Sequence, residues 1–549
     1  MAIEEDYADE LLDEEIDDLE DGGLDDENRE LIAGISGWGI SLVAHGMIAF
    51  VLMYIYILGE LERERPPIRL TQIDPPPEQE DREPPTERSL DDVDIQVEAE
   101  VLVDTPVVTD LDLPVEEFMT EDDVIAEVEE PRGREEAVSD AEAGGTAAFM
   151  AIGAGGGAKG AFGNRRGGGR RRAIGQGGGS RRSEAAVEAS LRWFRRHQSP
   201  NGMWSVAGYP ENCPDNPKCE PGQRYTDSQG DVASTGYAIL CFLGAGYDHR
   251  TPNRYRTVVA NGLEWLRSQA GPAPTAVVMF GGNRRMYHNA VAALAIAEAY
   301  AMTNDPGLRG LAQDAIDFVV AEQQPDPRDP GGYPLGWNYT RGSGTRNDSS
   351  VSGWAVMALK AGESGGLNVG NGMVGAKEYL IGAWRDANPH WQNVGSEGMT
   401  LFPYTWNPQT GETNPTAGAD GSISNPRTVC VGGLIAVFLD YRHGDPMLES
   451  MLNTIMARQK PTGYPTNTYY LYYNTLAVFQ AGGDRWQEWN AAMRDMLVDA
   501  QRPAGDGCFD GSWDWEGTRF HGHNVGRLVS TAYNTLCLQV YYRYARVMR

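Results

Sequence analysis

The stretch HQSPNGMWSV, residues 197–206, decides the fold. It follows an amphipathic run, EAAVEASLRWFRRHQ (184–198), and reads as a helix end and the turn after it. Gln198, Gly202 and Trp204 are its fixed points, and the pattern recurs down the chain. Helical runs end in glutamine at LEWLRSQ (Gln269), IDFVVAEQQ (Gln323 and Gln324), LNTIMARQ (Gln459) and MRDMLVDAQ (Gln501). Another run, GAKEYLIGAWRD (375–386), lacks the glutamine. Gly-aromatic turns follow at GGYPLGW (331–337), GYP (463–465) and GSW (511–513), the last holding Gly511 and Trp513.

Each such run is paired with a second helix that opens on small or polar residues and then turns apolar. Examples are VASTGYAILCFLGAG, YHNAVAALAIAEAYAM, SSVSGWAVMALKAG and LVSTAYNTLCLQVYY. Helical spacing dominates from residue 184 onward and strands are hard to find. Hairpins repeating every 40–75 residues or so predict a closed all-α ring, an (α/α)6 toroid of about six hairpins. In it the second helices line the centre and the first form the wall. The glutamine amide would tie a helix end to the next turn, and the indole would pack between hairpins.

The repeated Gln-x-x-x-Gly-x-Trp pattern and the small-residue inner helices resemble the prenyltransferase/squalene-oxidase repeat superfamily, whose fold is terpenoid-cyclase-like. Within it, MYHNAVAALAIAEAYAMTNDPGLRGLAQDAIDFVVAEQQ, NDSSVSGWAVMALKAG and GRLVSTAYNTLCLQVYYRY resemble uncharacterised, membrane-anchored bacterial members. The resemblance covers 184–549 and implies fold more than chemistry.

The rest of the chain is of another kind. The 549 residues carry a net charge of -33, and the excess acid lies almost wholly before residue 159. Residues 1–30 read as an acidic disordered tail. Residues 31–59, LIAGISGWGISLVAHGMIAFVLMYIYILG, are uncharged apart from His45 and long enough to span a bilayer, so they predict a single transmembrane helix. Residues 60–143 form an acidic Pro-rich stalk, 144–183 a Gly/Arg-rich flexible linker, and 184–549 the ring. Tail, anchor and stalk together resemble TonB-like envelope proteins. Counting Arg29 before the anchor against Arg63, Arg65 and Arg69 after it favours a cytoplasmic C-terminal domain, whereas the resemblance implies a bacterial inner membrane, single-pass, with a periplasmic one, which is the expectation taken. The ring is close to neutral, so no nucleic-acid partner is expected. The expected partners are the lipid bilayer through 31–59 and an envelope protein, glycan or lipid.

Several site residues follow from the inner-helix positions. Tyr287, His288, Asn289, Asp348, Trp354, Arg427, Tyr470, Tyr473, Asn474 and Tyr533 are candidates for lining a central cavity suited to a sugar or lipid. Glu298, mid-helix, reads as a carboxylate bonded within the core, and Asp348 as the N-cap of SSVSGW. No D-x-D-D motif, which protonates the substrate of terpene cyclases, occurs between 184 and 549. The zinc site of protein prenyltransferases is matched only by Asp506 and Cys508, with His521 as a displaced third ligand. Neither a metal nor a cofactor is therefore expected. Cys213 and Cys219 lie in one loop and could pair in an oxidising compartment. These residues give a membrane-tethered, non-catalytic binding module of the cell envelope. The alternative is an enzyme acting on a lipid, isoprenoid or polysaccharide in the central cavity.

Overall fold

The computed structural model describes His45 and residues 162–544, apart from 215, 223–229, 271–284, 343–344, 415–425, 427 and 516–521. All but His45 fall within one compact unit, Val115–Arg549. The expected transmembrane segment 31–59, the tail and the stalk lie outside the described residues, His45 excepted. Among the described residues no helix is long and apolar enough to cross a membrane.

Fourteen α-helices are described in 162–544. The helices α1 (Gly167–Gly177), α2 (Arg181–Arg196), α3 (Asp231–Gly244), α4 (Arg256–Ser268), α5 (Arg285–Thr303), α6 (Pro306–Ala321) and α7 (Ser349–Ser364) come first. They are followed by α8 (Gly372–Ala387), α9 (Val429–Phe438), α10 (Pro446–Arg458), α11 (Thr468–Ala481), α12 (Gly483–Ala500), α13 (Gly522–Leu538) and α14 (Val540–Arg543). The odd-numbered helices α3 to α13 each pack on the next, and α13 packs back on α3, so they form a closed inner ring. The helices α2, α4, α6, α8, α10 and α12 pack outside it, each against the inner helix that follows or precedes it. This is an α/α toroid.

Composition explains which helix goes where. Every residue of α3, α9 and α11 is buried, and a helix apolar on all sides is stable only when surrounded. By contrast α2 buries Val187, Leu191, Trp193 and Phe194 along one face and leaves its arginines outside. Its start is fixed by a reciprocal cap between Ser180 and Ser183. Asp305 and Asp445, each followed by proline, cap α6 and α10 in the same side-chain-to-backbone manner.

The glutamine and tryptophan of the repeat bond backbone between hairpins. Gln198 Nε2 donates to the carbonyls of Gly202 (2.8 Å) and of Val258 in α4 (2.9 Å). Trp204 Nε1 donates back to Phe194 O in α2 at 2.7 Å. The same bonds recur at Gln501, which reaches Gly511 O and Ala186 O, and at Trp513, which reaches Leu497 O. Because Ala186 lies in α2, this last copy joins the final hairpin to the first. Gly202 and Gly511 have φ of 96° and 86°, and a Cβ at either would run into a carbonyl of the neighbouring outer helix.

In the third hairpin the first of the two glutamines makes the repeat's bonds. Gln323, not Gln324, bonds Leu335 O and Gly372 O in α8, while Trp337 Nε1 reaches Val319 O. Gln324 turns instead to Thr340 O. Gln269 is half-buried and, among the described residues, its amide bonds its neighbour Ser268, and Gln459 makes a long bond to Pro426 O at 3.4 Å.

The stretch 144–183, expected as flexible linker, enters the fold from Phe162 onward. A 3-10 turn (Gly163–Arg165) and α1 pack against α14. Arg165 is wholly buried and bonds Arg543 O (2.9 Å), Leu243 O (3.2 Å) and Glu298 Oε2 (2.9 Å). Arg543 and Tyr544 hold the other Glu298 oxygen at 3.1 and 2.6 Å. A glycine-rich sequence reads as flexible, but these arginines find carbonyls and a carboxylate at the ends of α3 and α5.

Candidate functional site

The two ends of the ring are built differently. Connections from an inner helix to the next outer helix are short, from residue 482 alone to 245–255. Connections from an outer to an inner helix are mostly long: 197–230, 322–348, 388–428 and 501–521. Long loops on a rigid scaffold are where binding and catalytic groups concentrate. The long connections end at the inner-helix N-termini, so that end of the ring is the working end. The other end is stopped by the Arg165–Glu298–Arg543 cluster.

The axis between the two ends is filled. Trp354 stacks with Tyr472 (5.8 Å between centroids) and Tyr533 (6.3 Å), and meets Tyr237 and Tyr473 edge-on. Tyr469 closes the cluster against Tyr473 at 4.8 Å. The polar edges of these rings face one another: Tyr533 hydroxyl donates to Tyr237 hydroxyl at 3.0 Å, and Trp354 Nε1 to Tyr287 hydroxyl at 3.0 Å. Burial first, and neighbouring phenols second, push Tyr237, Tyr469, Tyr473 and Tyr533 well above the usual phenol range. They are neutral donors, and they form a floor, not an open tunnel.

Of the sequence candidates, Trp354, Tyr473 and Tyr533 belong to this floor, with Tyr470 beside it against Tyr469. Asn289 and Asn474 are buried in their helices. Arg427 lies outside the described residues. Tyr287 and His288, at the start of α5, are only partly buried.

Asp348 sits above the floor in a small sheet that clamps two long connections. Strand β1 (Asn347–Asp348) pairs antiparallel with β2 (Thr405–Trp406), which pairs with β3 (Thr413–Asn414). Asp348 Oδ1 accepts from Ser350 N, Ser350 Oγ and Val351 N, capping α7, while Oδ2 pairs with Arg346 Nη2 at 2.9 Å. Tyr404, next to β2, hydrogen-bonds Tyr339 hydroxyl to hydroxyl at 3.2 Å. The Arg346 guanidinium lies 5.7 Å from the Tyr404 ring. Tyr339 and Tyr287 run parallel, 6.4 Å apart. Burial, then the Asp348 carboxylate, pushes Tyr404 up, and burial lifts Tyr287 to about 12. Tyr339, Arg346 and Tyr404 were not legible as site residues because loops carry no periodicity.

A second cluster lies where the first and last long connections meet. His197, Cys213, Cys219 and Cys508 are all buried, and one donor atom from each falls within 4.8 Å of all the others. His197 Nδ1 faces Trp193 O at 2.8 Å and must donate to it. Nε2 is thereby turned toward the sulfurs of Cys213 (3.2 Å), Cys508 (3.1 Å) and Cys219 (3.6 Å). Burial lowers the imidazole to about 4, so it is neutral. Cys213 Sγ lies within disulfide range of Cys508 Sγ while Cys219 keeps a free thiol, so the Cys213–Cys219 pairing that the loop offered is not the one formed. Of the weak zinc triad only Cys508 takes part. Asp506 pairs with Arg502, and His521 lies outside the described residues.

No family model matches the chain, and no protein of curated function matches it. Solved structures align with about two thirds of it. The inactive GH76A α-1,6-mannanase of Salegentibacter sp. HEL1_6, bound to α-1,6-mannotetrose, is 12% identical over 66% of this chain and 99% of its own, with a TM-score of 0.42. Unsaturated glucuronyl hydrolase of Bacillus sp. GL1 is 16% identical over 65% and 96%, with a TM-score of 0.42. A possible GH105 member from Salmonella enterica serovar Paratyphi A is 12% identical over 66% and 93%, with a TM-score of 0.38. At these values no residue and no substrate is carried across to this chain. The first two are named for glycan-degrading enzymes, where the sequence expectation was a non-catalytic binding module.

Proposed function

We propose that this protein is an enzyme that cleaves a polysaccharide at the long-connection end of its ring. The observation that supports it is the layer of Tyr287, Tyr339, Tyr404 and Arg346 around Asp348, partly exposed above a sealed aromatic floor. Parallel aromatic faces suit the C–H faces of sugar rings. Cleaving a glycosidic bond needs a proton delivered to the leaving oxygen and a base or anion opposite. In this account the Tyr404 hydroxyl, linked to Tyr339, gives its proton to the leaving oxygen as water adds to the sugar carbon, and a proton of that water returns to Tyr404. Asp348 supplies the negative charge and holds Arg346, whose side chain is 46% exposed and can take an acidic or hydroxyl group of the sugar.

The test is product release from a panel of neutral and acidic polysaccharides, read by reducing ends and mass spectrometry. Wild-type protein is expected to yield oligosaccharides, and Tyr404→Phe to lower kcat by about a hundredfold or more with an unchanged melting temperature. Asp348→Asn is expected to lose activity too, because asparagine still caps the helix but carries no charge. No product from any polysaccharide, or full activity in Tyr404→Phe, contradicts the proposal.

Two wider readings belong to the same proposal. The Gln–Gly–Trp bonding supports kinship with prenyltransferase/squalene-oxidase repeats. An uncharged 31–59 supports a single-pass inner-membrane anchor, with the ring held in the periplasm to meet envelope glycans. Protection of the ring from protease added to spheroplasts would contradict the orientation.

A further inference from the structure

We propose that His197, Cys213, Cys219 and Cys508 bind one zinc ion in a closed structural site that fastens the first hairpin to the last. This stands whether or not the ring cleaves a glycan, because it rests on a different part of the molecule.

The donor set is three sulfurs and one imidazole nitrogen, all buried and converging from two connections. Soft thiolates with one imidazole in a compact four-ligand group select zinc among the common divalent ions. The surroundings are those that zinc ligands need. Trp193 O accepts a hydrogen bond from Nδ1–H and the Trp193 indole stacks on the His197 ring at 4.2 Å, fixing both tautomer and orientation. Cys219 N donates to Cys213 Sγ at 3.2 Å, a bond that favours a thiolate acceptor. Trp193 Nε1 donates to Cys508 O at 3.0 Å and anchors the far connection.

A disulfide between Cys213 and Cys508 is the competing use of the same atoms. It would leave the Nε2 lone pair 3.1 to 3.2 Å from two sulfurs that carry no proton, three electron-rich atoms with nothing between them. A cation resolves that contact. Binding forms three Zn–S bonds and one Zn–N bond, breaks three S–H bonds and releases three protons to solvent. The complex then carries one net negative charge. Arg196 and Arg527, the latter also paired with Asp514 at 2.6 Å, face this corner and offset part of that charge.

All four coordination positions come from the protein, so none is open to substrate. The site is a staple. Cys213 and Cys508 are 295 residues apart in sequence, and joining them closes the ring at the seam that Gln501 and Ala186 also hold.

The experiment is metal analysis of the full chain purified under reducing conditions without chelator, with thiols counted before and after a mercurial reagent. About one zinc per chain is expected, with mercurial addition releasing it as three buried thiols react. Cobalt reconstitution of the wild type should give tetrahedral d–d bands and thiolate-to-cobalt charge transfer, which needs no mutant. Cys219→Ser and His197→Ala should lower metal content severalfold, and His197→Cys should restore it. Metal below about a tenth of an equivalent, with no cobalt charge transfer and a Cys213–Cys508 disulfide on peptide mapping, overturns the proposal. Retention of full zinc content in Cys219→Ser and in His197→Ala overturns it as well.

Discussion

Glu298 is a carboxylate with no access to water, set between two guanidiniums and a phenol. Burial alone would raise its pKa, but Arg165, Arg543 and the Tyr544 hydroxyl together outweigh burial and hold it below the ordinary 4.5. A folded pKa below the unfolded one stabilises the protein above the unfolded value, and that share is lost as pH falls through the folded value. The melting temperature of wild type should therefore drop steeply below pH 4.5, and Glu298→Gln should flatten that drop. At neutral pH the same change leaves two buried arginines unpaired and should cost about 3–5 kcal/mol in denaturant unfolding. The sequence reads Glu298 as a core carboxylate from its place in ALAIAEAYAM. Its partner Arg165 was not legible, because it lies among glycines where no periodicity marks burial. Which of Gln323 and Gln324 makes the repeat's bonds was equally hidden, since both follow the same helix and only the turn geometry separates them.

The repeat unit is legible at the scale of elements because its parts obey simple rules. Helices buried on every side lack a polar face, amphipathic ones have it, and the Gln and Trp at the boundary bond carbonyls that a helix end leaves free. Gln501 bonds both its own turn and α2, so Gln501→Ala exposes two acceptors at the closing seam. It should cost about 1–3 kcal/mol, whereas Gln269→Ala, whose described amide bond is a surface one to Ser268, should stay within about 0.5 kcal/mol. Chemical denaturation of the two variants checks the difference, and equal costs would mean that the repeat glutamine is not a fastener. The metal cluster escaped sequence reading for a related reason. His197 and Cys213 lie near each other in sequence, but Cys508 joins them only once the ring has closed.

Across the whole ring, one end is stopped by arginines from the N-terminal strap, the middle by aromatic rings, and the other end carries the long connections. Closure was readable from the six-hairpin period, and the inner helices pack in the cyclic order it requires. The placement of the working layer was not, because Tyr339, Arg346 and Tyr404 lie on loops whose meeting depends on the small sheet at Asp348. The account stands on that end being where substrate binds. Hydrogen–deuterium exchange of the Tyr404→Phe protein, with and without the polysaccharide that wild type digests, tests it most directly. Protection is predicted in 285–289, 337–348 and 401–406, with none in the short connections 365–371 and 439–445. Protection confined to those short connections, or no protection anywhere, would contradict it.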